Sequence, residues 1–443
     1  MWLIIFLFLS FNLSAQQNTE ASRREIIQFG TDTEIANLIQ ALRNEKEDYL
    51  DDELVEMAQS SKNQRVLSSV FAFFAEREKS GLEGRAIKAI DERENESNDS
   101  VLAAIDYLGR VKTADAAETL IELIDTEERR FLNSAFRALG RAGSADKITG
   151  DKAADFLINF YEKREPADDS KREIITAIGA SGSSNGVKFL KEIALDDGER
   201  VPLRIAALDA LSKIGDNEGL NAIITSVSAN DPNVRSAAVG ALGPFSGSDV
   251  DSAILDAFRD SYYRTRIAAA QASRERKLEA AVPFLKFRAE RDEVPNVREE
   301  AVRALGAIGS KEANEILEGL FAERRNSERI RILSSEMLSK NNALVNAVKL
   351  IEEAEEAKKR TQTNLYNGLL KVISETVFQG DKTELLNITG RFLRSGTPIE
   401  KLYALDIIAV NKLKGYEEEI KKLAEDKNES MARRAKRTLE MLE

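Results

Sequence analysis

The chain has 443 residues, 42% hydrophobic, only 6% aromatic and 32% charged, with a formal net charge of −12 and neither histidine nor cysteine. That length exceeds what one compact core sustains, so several domains or an extended repeat array are expected. Without imidazoles and thiols there are no Ser-His or Cys-His nucleophile pairs, no His or Cys metal ligands and no disulfide staples, and the acidic balance argues against general affinity for nucleic acid or anionic lipid.

The opening MWLIIFLFLSFNLSAQQ carries an apolar run from Trp2 to Phe11, followed by Asn12-Leu13-Ser14-Ala15 and then polar residues. It reads as a secretory signal over residues 1–15, cleaved near Ala15, although no Lys or Arg precedes the run. As a membrane anchor it is too short, because about 13 apolar residues rising ~1.5 Å each cover ~20 Å of a ~30 Å hydrocarbon core. No later segment approaches 18 uninterrupted apolar residues, and no cysteine offers a lipid attachment point. The expected mature protein is periplasmic or secreted, free of stable membrane insertion, and monomeric.

Residues 16–50 read as N-terminal cap helices, with a helical stripe over Thr33–Arg43, and residues 51–443 as one repeat array. Asp51–Gln59 with Asn63–Glu78, and Leu82–Glu92 with Ser97–Gly109, form its first helix pairs. Beyond them one pattern recurs: a zero position, often basic, an apolar residue four and seven places later, and a small residue at eight. Val101, Leu132 and Lys171 open early copies. Arg204, Arg235, Arg266, Arg298 and Arg331 follow at intervals of 31, 31, 32 and 33, and Lys401 and Arg433 open the last two. A period near 32 signals a helical solenoid, here of roughly a dozen antiparallel helix pairs.

Each copy is a helix by its own stripe, as in Val234, Ala238, Ala241 and Leu242; we name it helix B. Pro202, Pro232, Pro295 and Pro398 precede zero positions by two or three residues, at the first helical turn, where a missing N–H costs nothing. Gly140, Gly179, Gly243 and Gly306 at the eighth position, then Gly143, Gly182, Gly215 and Gly309, are read as the helix stop and the chain reversal. A second amphipathic helix, A, completes the pair, as in Ala116–Ile124 and Val250–Phe258. Around Thr361–Phe378 two registers fit equally well, after a charge run, EEAEEAKKR, expected on a solvated helix surface.

DPNVRSAAVGALG from Asp231 and VPNVREEAVRALGAIG from Val294 resemble the HEAT-repeat family, in particular the short bacterial HEAT-like repeats of phycobilisome-lyase-type proteins. The resemblance implies an all-α, right-handed α-solenoid superhelix with B helices on the concave side and A helices on the convex side. It also implies a basic position that bonds to backbone or acidic groups of an adjacent repeat. On that account Arg204, Arg235, Arg266, Arg298 and Arg331 form a structural ladder rather than a row of anion sites.

The literal G-x-S-x-G match at Gly182-Ser183-Ser184-Asn185-Gly186 lacks both a preceding strand and a histidine, so no catalytic residue and no metal or cofactor site is assigned. The informative repeat is the one that breaks the pattern. Between Ala257 and Arg291 it holds nine Lys/Arg against four Asp/Glu, a local +5. Its Tyr262, Tyr263, Arg264, Arg274, Arg276 and Lys277 are the candidate partner-binding residues, Arg and Tyr being the side chains that most often anchor interfaces. The function expected is a non-enzymatic protein-interaction scaffold exported from the cytoplasm, with no nucleic-acid partner. A lyase-like or chaperone-like role toward a bound small molecule or client protein is the alternative.

Overall fold

A computed structural model describes residues 20–342 and 347–442. The signal sequence expected over residues 1–15 lies outside the described residues. Among the described residues every regular element is helical, and no helix is long and apolar enough to cross a membrane.

The chain groups into two compact units, one ending at Ala241 and the other beginning at Leu242. In the first, a helical stretch over 20–29 and the helix Asp32–Glu45 form the cap, and Asp32–Glu45 stacks on Gln64–Glu76 as a B helix would. Six A/B pairs follow, from Asp51–Ser60 with Gln64–Glu76 to Asn217–Ser226 with Pro232–Ala241. The second unit also holds six pairs among the described residues, from Ser248–Ala257 with Tyr263–Arg276 to Glu417–Ala424 with Glu429–Leu442. Within each unit consecutive B helices pack on one another, which is the arrangement of a helical-repeat solenoid.

Packing follows the stripes. Phe71, Phe74, Tyr107, Phe131 and Phe136 are fully buried in the first unit, and Phe258, Phe378 and Phe392 in the second. Fully burying one such ring contributes about 1.5–3 kcal/mol. Thr363–Glu375, the segment with two possible registers, is a B helix between Glu328–Lys340 and Pro398–Asn411. Leu365, Leu369, Leu370 and Ile373 fix its buried side.

Pro202, Pro232, Pro295 and Pro398 occupy the first or second position of their helices. Gly243 does follow its helix, which ends at Ala241, but Gly140, Gly179 and Gly306 lie within theirs and do something other than stop it. Gly140 lies inside Arg129–Gly143 and Gly179 inside Asp168–Ser181. A Cβ on Gly140 would come within 2.4 Å of the Ala177 carbonyl oxygen, and one on Gly179 within 2.6 Å of the Ala210 Cα. These glycines let adjacent B helices approach backbone to backbone. The second glycines do reverse the chain at Gly215 and Gly309, with φ of 72° and 64°, but Gly143 ends a helix whose cap is Ser144 at φ −74°.

Candidate partner-binding surface

The A helices end in carbonyls with no intrahelical partner and a partial negative charge, and the ladder arginines answer both. Arg204 Nε donates to the Ala194 carbonyl at 3.1 Å, Arg298 Nε to Ala289 at 2.9 Å and Arg331 Nε to Phe321 at 2.8 Å. Arg235 Nη1 donates to the Ala229 and Asn230 carbonyls, both at 3.0 Å. Each of these carbonyls lies in, or just beyond, the last turn of the preceding A helix. The rest of the fork pairs with a second group: Arg204 with Asp197 at 2.8 Å, Arg298 with Asn326 at 3.0 Å and Arg331 with Glu353 at 2.6 Å. For Arg298 and Arg331 that group belongs to the following repeat.

Arg266 makes the most complete set. Its Nη1 donates to the Asp260 and Ser261 carbonyls at 3.0 and 3.1 Å, while Nε and Nη2 grip Asp292 with two bonds of 2.8 Å. The Asp292 carboxylate is fully buried. Burial pushes its pKa up, yet the bonds from Arg266 and the Val294 N–H and the charges of Arg266 and Arg288 hold it below the usual range. The same bond raises the Arg266 pKa. With two sides of the Arg204, Arg266, Arg298 and Arg331 guanidiniums engaged within the stack, these four act as joints rather than as a row of anion sites.

The six candidate binding residues separate. Arg274 reaches Glu300 on the next B helix at 2.8 Å, and Arg276, mostly buried, pairs with Asp251 of its own repeat's A helix. Both tie helices together. Lys277 is the cap of Tyr263–Arg276, in the left-handed region at φ 49°, where three other B helices place Gly182, Gly215 and Gly309 and two place Lys112 and Lys412. Tyr262, Tyr263 and Arg264 form a different group, at the start of that helix. The tyrosine rings meet edge to face with centroids 5.4 Å apart, and the exposed Arg264 guanidinium lies 6.0 and 5.9 Å from them. Arg264 Nε donates to the Tyr263 hydroxyl at 3.2 Å, and no carboxylate pairs with it among the described residues.

The structure adds residues that the sequence reading passed over. On the A helix Val282–Arg291, Val282, Leu285 and Ala289 make the buried stripe, and Phe287 falls off it, 51% exposed. Phe284 stacks on Phe258 with centroids 5.7 Å apart and planes 26° from parallel. Together with Pro283, Arg259 and Arg288 these rings line a concavity of about 440 Å³. A large aromatic off the buried stripe is the signal that marks it in the sequence.

The G-x-S-x-G segment is a loop between helices. Ser184 opens a single 3₁₀ turn before Val187–Leu195, and the buried Ser183 donates to Asp151 at 2.5 Å. Among the described residues no group of three or more acidic side chains stands in metal-binding geometry.

No curated protein matches the chain by sequence. Among solved structures, a mutant of Kap121p superposes with a TM-score of 0.51 at 11% identity, covering 95% of this chain and 53% of that one. The karyopherin Kap121p bound to the extreme C-terminus of the protein phosphatase Cdc14p gives 0.50 at 11% identity, with the same coverage, 95% and 53%. The chain thus spans about half the length of these karyopherins, and at that identity the likeness is one of fold. By sequence, the profile described as "Spirochaete HEAT repeat protein" matches residues 27–438. With nearly every repeat inside that match, the chain belongs to the spirochaete HEAT repeat protein family.

Proposed function

We propose that this protein is a non-enzymatic scaffold that works outside the cytoplasm and presents its stacked helices to a protein partner. The observation that carries the reading is the Tyr262, Tyr263 and Arg264 group: interface-type side chains whose arginine is left without a carboxylate, in a chain whose ladder arginines are all bonded internally. Export rests on the apolar run from Trp2 to Phe11 and the polar residues after Ala15. The absence of histidine and cysteine supports a role without covalent or metal chemistry.

Affinity capture from an envelope fraction, with wild type and with Tyr263→Ser/Arg264→Glu, tests the reading. The expected result is a discrete protein enriched by wild type and lost with the variant, with the scaffold's N-terminus near Gln16. No enriched protein, or equal enrichment by both, would sink the scaffold reading. Cytoplasmic material that retains Met1 would refute export. Arg274 and Arg276 are unsuitable for this test, because reversing either charge breaks a contact between helices.

A further inference from the structure

We propose that Phe258, Pro283, Phe284 and Phe287, with Arg259, Arg288 and Arg291 against their rings, form a cradle for an acidic segment of a partner protein that inserts an aromatic or leucine side chain. The proposal rests on the scaffold reading and names the chemistry of the partner.

The cradle is built by two A helices of the second unit, the end of Ser248–Ala257 and the body of Val282–Arg291. Phe258 is buried and forms its floor, Phe284 is half-buried, and Phe287 and Pro283 stand exposed at the edge. A concavity of about 440 Å³ has room for one or two large side chains, not for an extended polymer. Its apolar surface is held open by cations: the Arg259 guanidinium lies 5.1 Å from the Phe284 ring, and those of Arg288 and Arg291 lie 5.3 and 5.9 Å from Phe287. Such stacking keeps an aromatic ring in place while the charged heads face solvent.

Charge selects the occupant. Arg259 is paired, with Asp256 at 2.8 Å, but both partners are largely exposed, so the pair exchanges easily. Arg288 is committed to the Phe258 carbonyl and to Asp292. Lys286 and Arg291 are exposed, and no carboxylate pairs with either among the described residues. An apolar recess with the unneutralised Arg291 against its edge ring and Lys286 exposed on the same helix favours an apolar anchor with carboxylates beside it. A nucleic acid or an anionic membrane needs a broad positive face, which a chain of net charge −12 with a rim of this size does not provide.

The test is selection of random dodecapeptides displayed on phage against the full chain, with counter-selection on Phe287→Ser. Enriched sequences are expected to carry Phe, Trp, Tyr or Leu next to Asp or Glu. Synthetic copies should lose about tenfold or more in affinity with Phe287→Ser and with Lys286→Glu/Arg291→Glu. Phe287 lies off the buried stripe, so the Ser variant is expected to keep the wild-type circular dichroism, and the double charge variant gives a second readout that leaves the recess intact. Enrichment of basic or wholly polar peptides, or no enrichment that depends on Phe287, overturns the proposal. So does sedimentation with phosphatidylglycerol vesicles that Phe287→Ser abolishes. If Phe287→Ser still captures the envelope partner that Tyr263→Ser/Arg264→Glu loses, the cradle is refuted and the scaffold reading stands. If wild type captures nothing, the scaffold reading fails by itself.

Discussion

Arg264 and Arg266 are two residues apart on one helix and have opposite fates. Arg266 points into the stack, where four bonds to two carbonyls and a buried carboxylate fix it. Arg264 faces solvent and rests on two tyrosines. One element therefore supplies both a joint between repeats and an exposed guanidinium, and only the second faces solvent. The same division separates Asp292, fully buried, from Lys286 and Arg291 on the helix that precedes it.

The largest effect expected is on the joint. Arg266→Ala leaves the Asp292 carboxylate buried with much of its compensation gone, which costs about 3–5 kcal/mol. Local unfolding around Tyr263–Arg276, followed in urea by tryptic cleavage, should come at a clearly lower midpoint than in wild type. Cleavage at the wild-type midpoint would mean that the ladder is ornamental.

Acid should loosen a second buried ionic group in the same unit. Glu400 accepts from Lys358 at 2.6 Å and from the Tyr366 hydroxyl, and the Thr397 N–H and hydroxyl complete its shell. Burial pushes its pKa up, but these bonds overcome that and bring it from 4.5 down to about 2. A depressed carboxylate pKa contributes stability that is complete above the unfolded value, near 4.5, and lost as pH falls toward 2. With half-exposed Lys358 as partner, the loss is on the order of 2 kcal/mol. Glu400→Gln should flatten the decline in thermal midpoint between pH 5 and about 2.5. An equally steep decline in the variant would place the acid sensitivity elsewhere.

Gly179→Val tests the backbone approach. Its side chain would meet the Ala210 backbone, and overpacking of this kind costs about 1–3 kcal/mol, read as a lower thermal midpoint. The sequence offered the glycine but not its reason. A period of 32 marks positions that repeat, and a glycine at a helix end and one at a helix crossing repeat equally well. Arg129–Gly143 and Asp168–Ser181 run past the eighth position because Ala142, Ser181 and the residues around them are buried against neighbours, and that packing is invisible in a single strand of sequence.

Lys277→Gly has the opposite sign. Relieving a left-handed lysine should stabilise the second unit by about 0.5–1 kcal/mol, raising its thermal midpoint slightly. The smallest effect is expected from Arg264→Ala, within about 0.5 kcal/mol, as for most exposed substitutions. A large loss there would erase the contrast with Arg266.

The repeats, the pairs and the proline positions were legible because each rests on local chemistry repeated many times. The irregular repeat was legible as irregular, from the excess of Lys and Arg between Ala257 and Arg291. Sorting its charges was not possible from sequence, because Arg274 and Arg276 differ from Arg264 only in having Glu300 and Asp251 within reach across the stack. Phe287 escaped for a related reason. An aromatic in an amphipathic helix is ordinarily read as core, and only its offset from Val282, Leu285 and Ala289 separates it from the buried stripe.

Hydrogen exchange across Tyr263–Arg276 and Pro295–Ile308, compared among wild type, Arg266→Ala and Arg264→Ala, tests the division most directly. The account predicts that exchange in both helices accelerates by about 100-fold or more with Arg266→Ala, the equivalent of ~3 kcal/mol, and by less than about threefold with Arg264→Ala. Equal protection in the two variants, or a larger loss with Arg264→Ala, would contradict it.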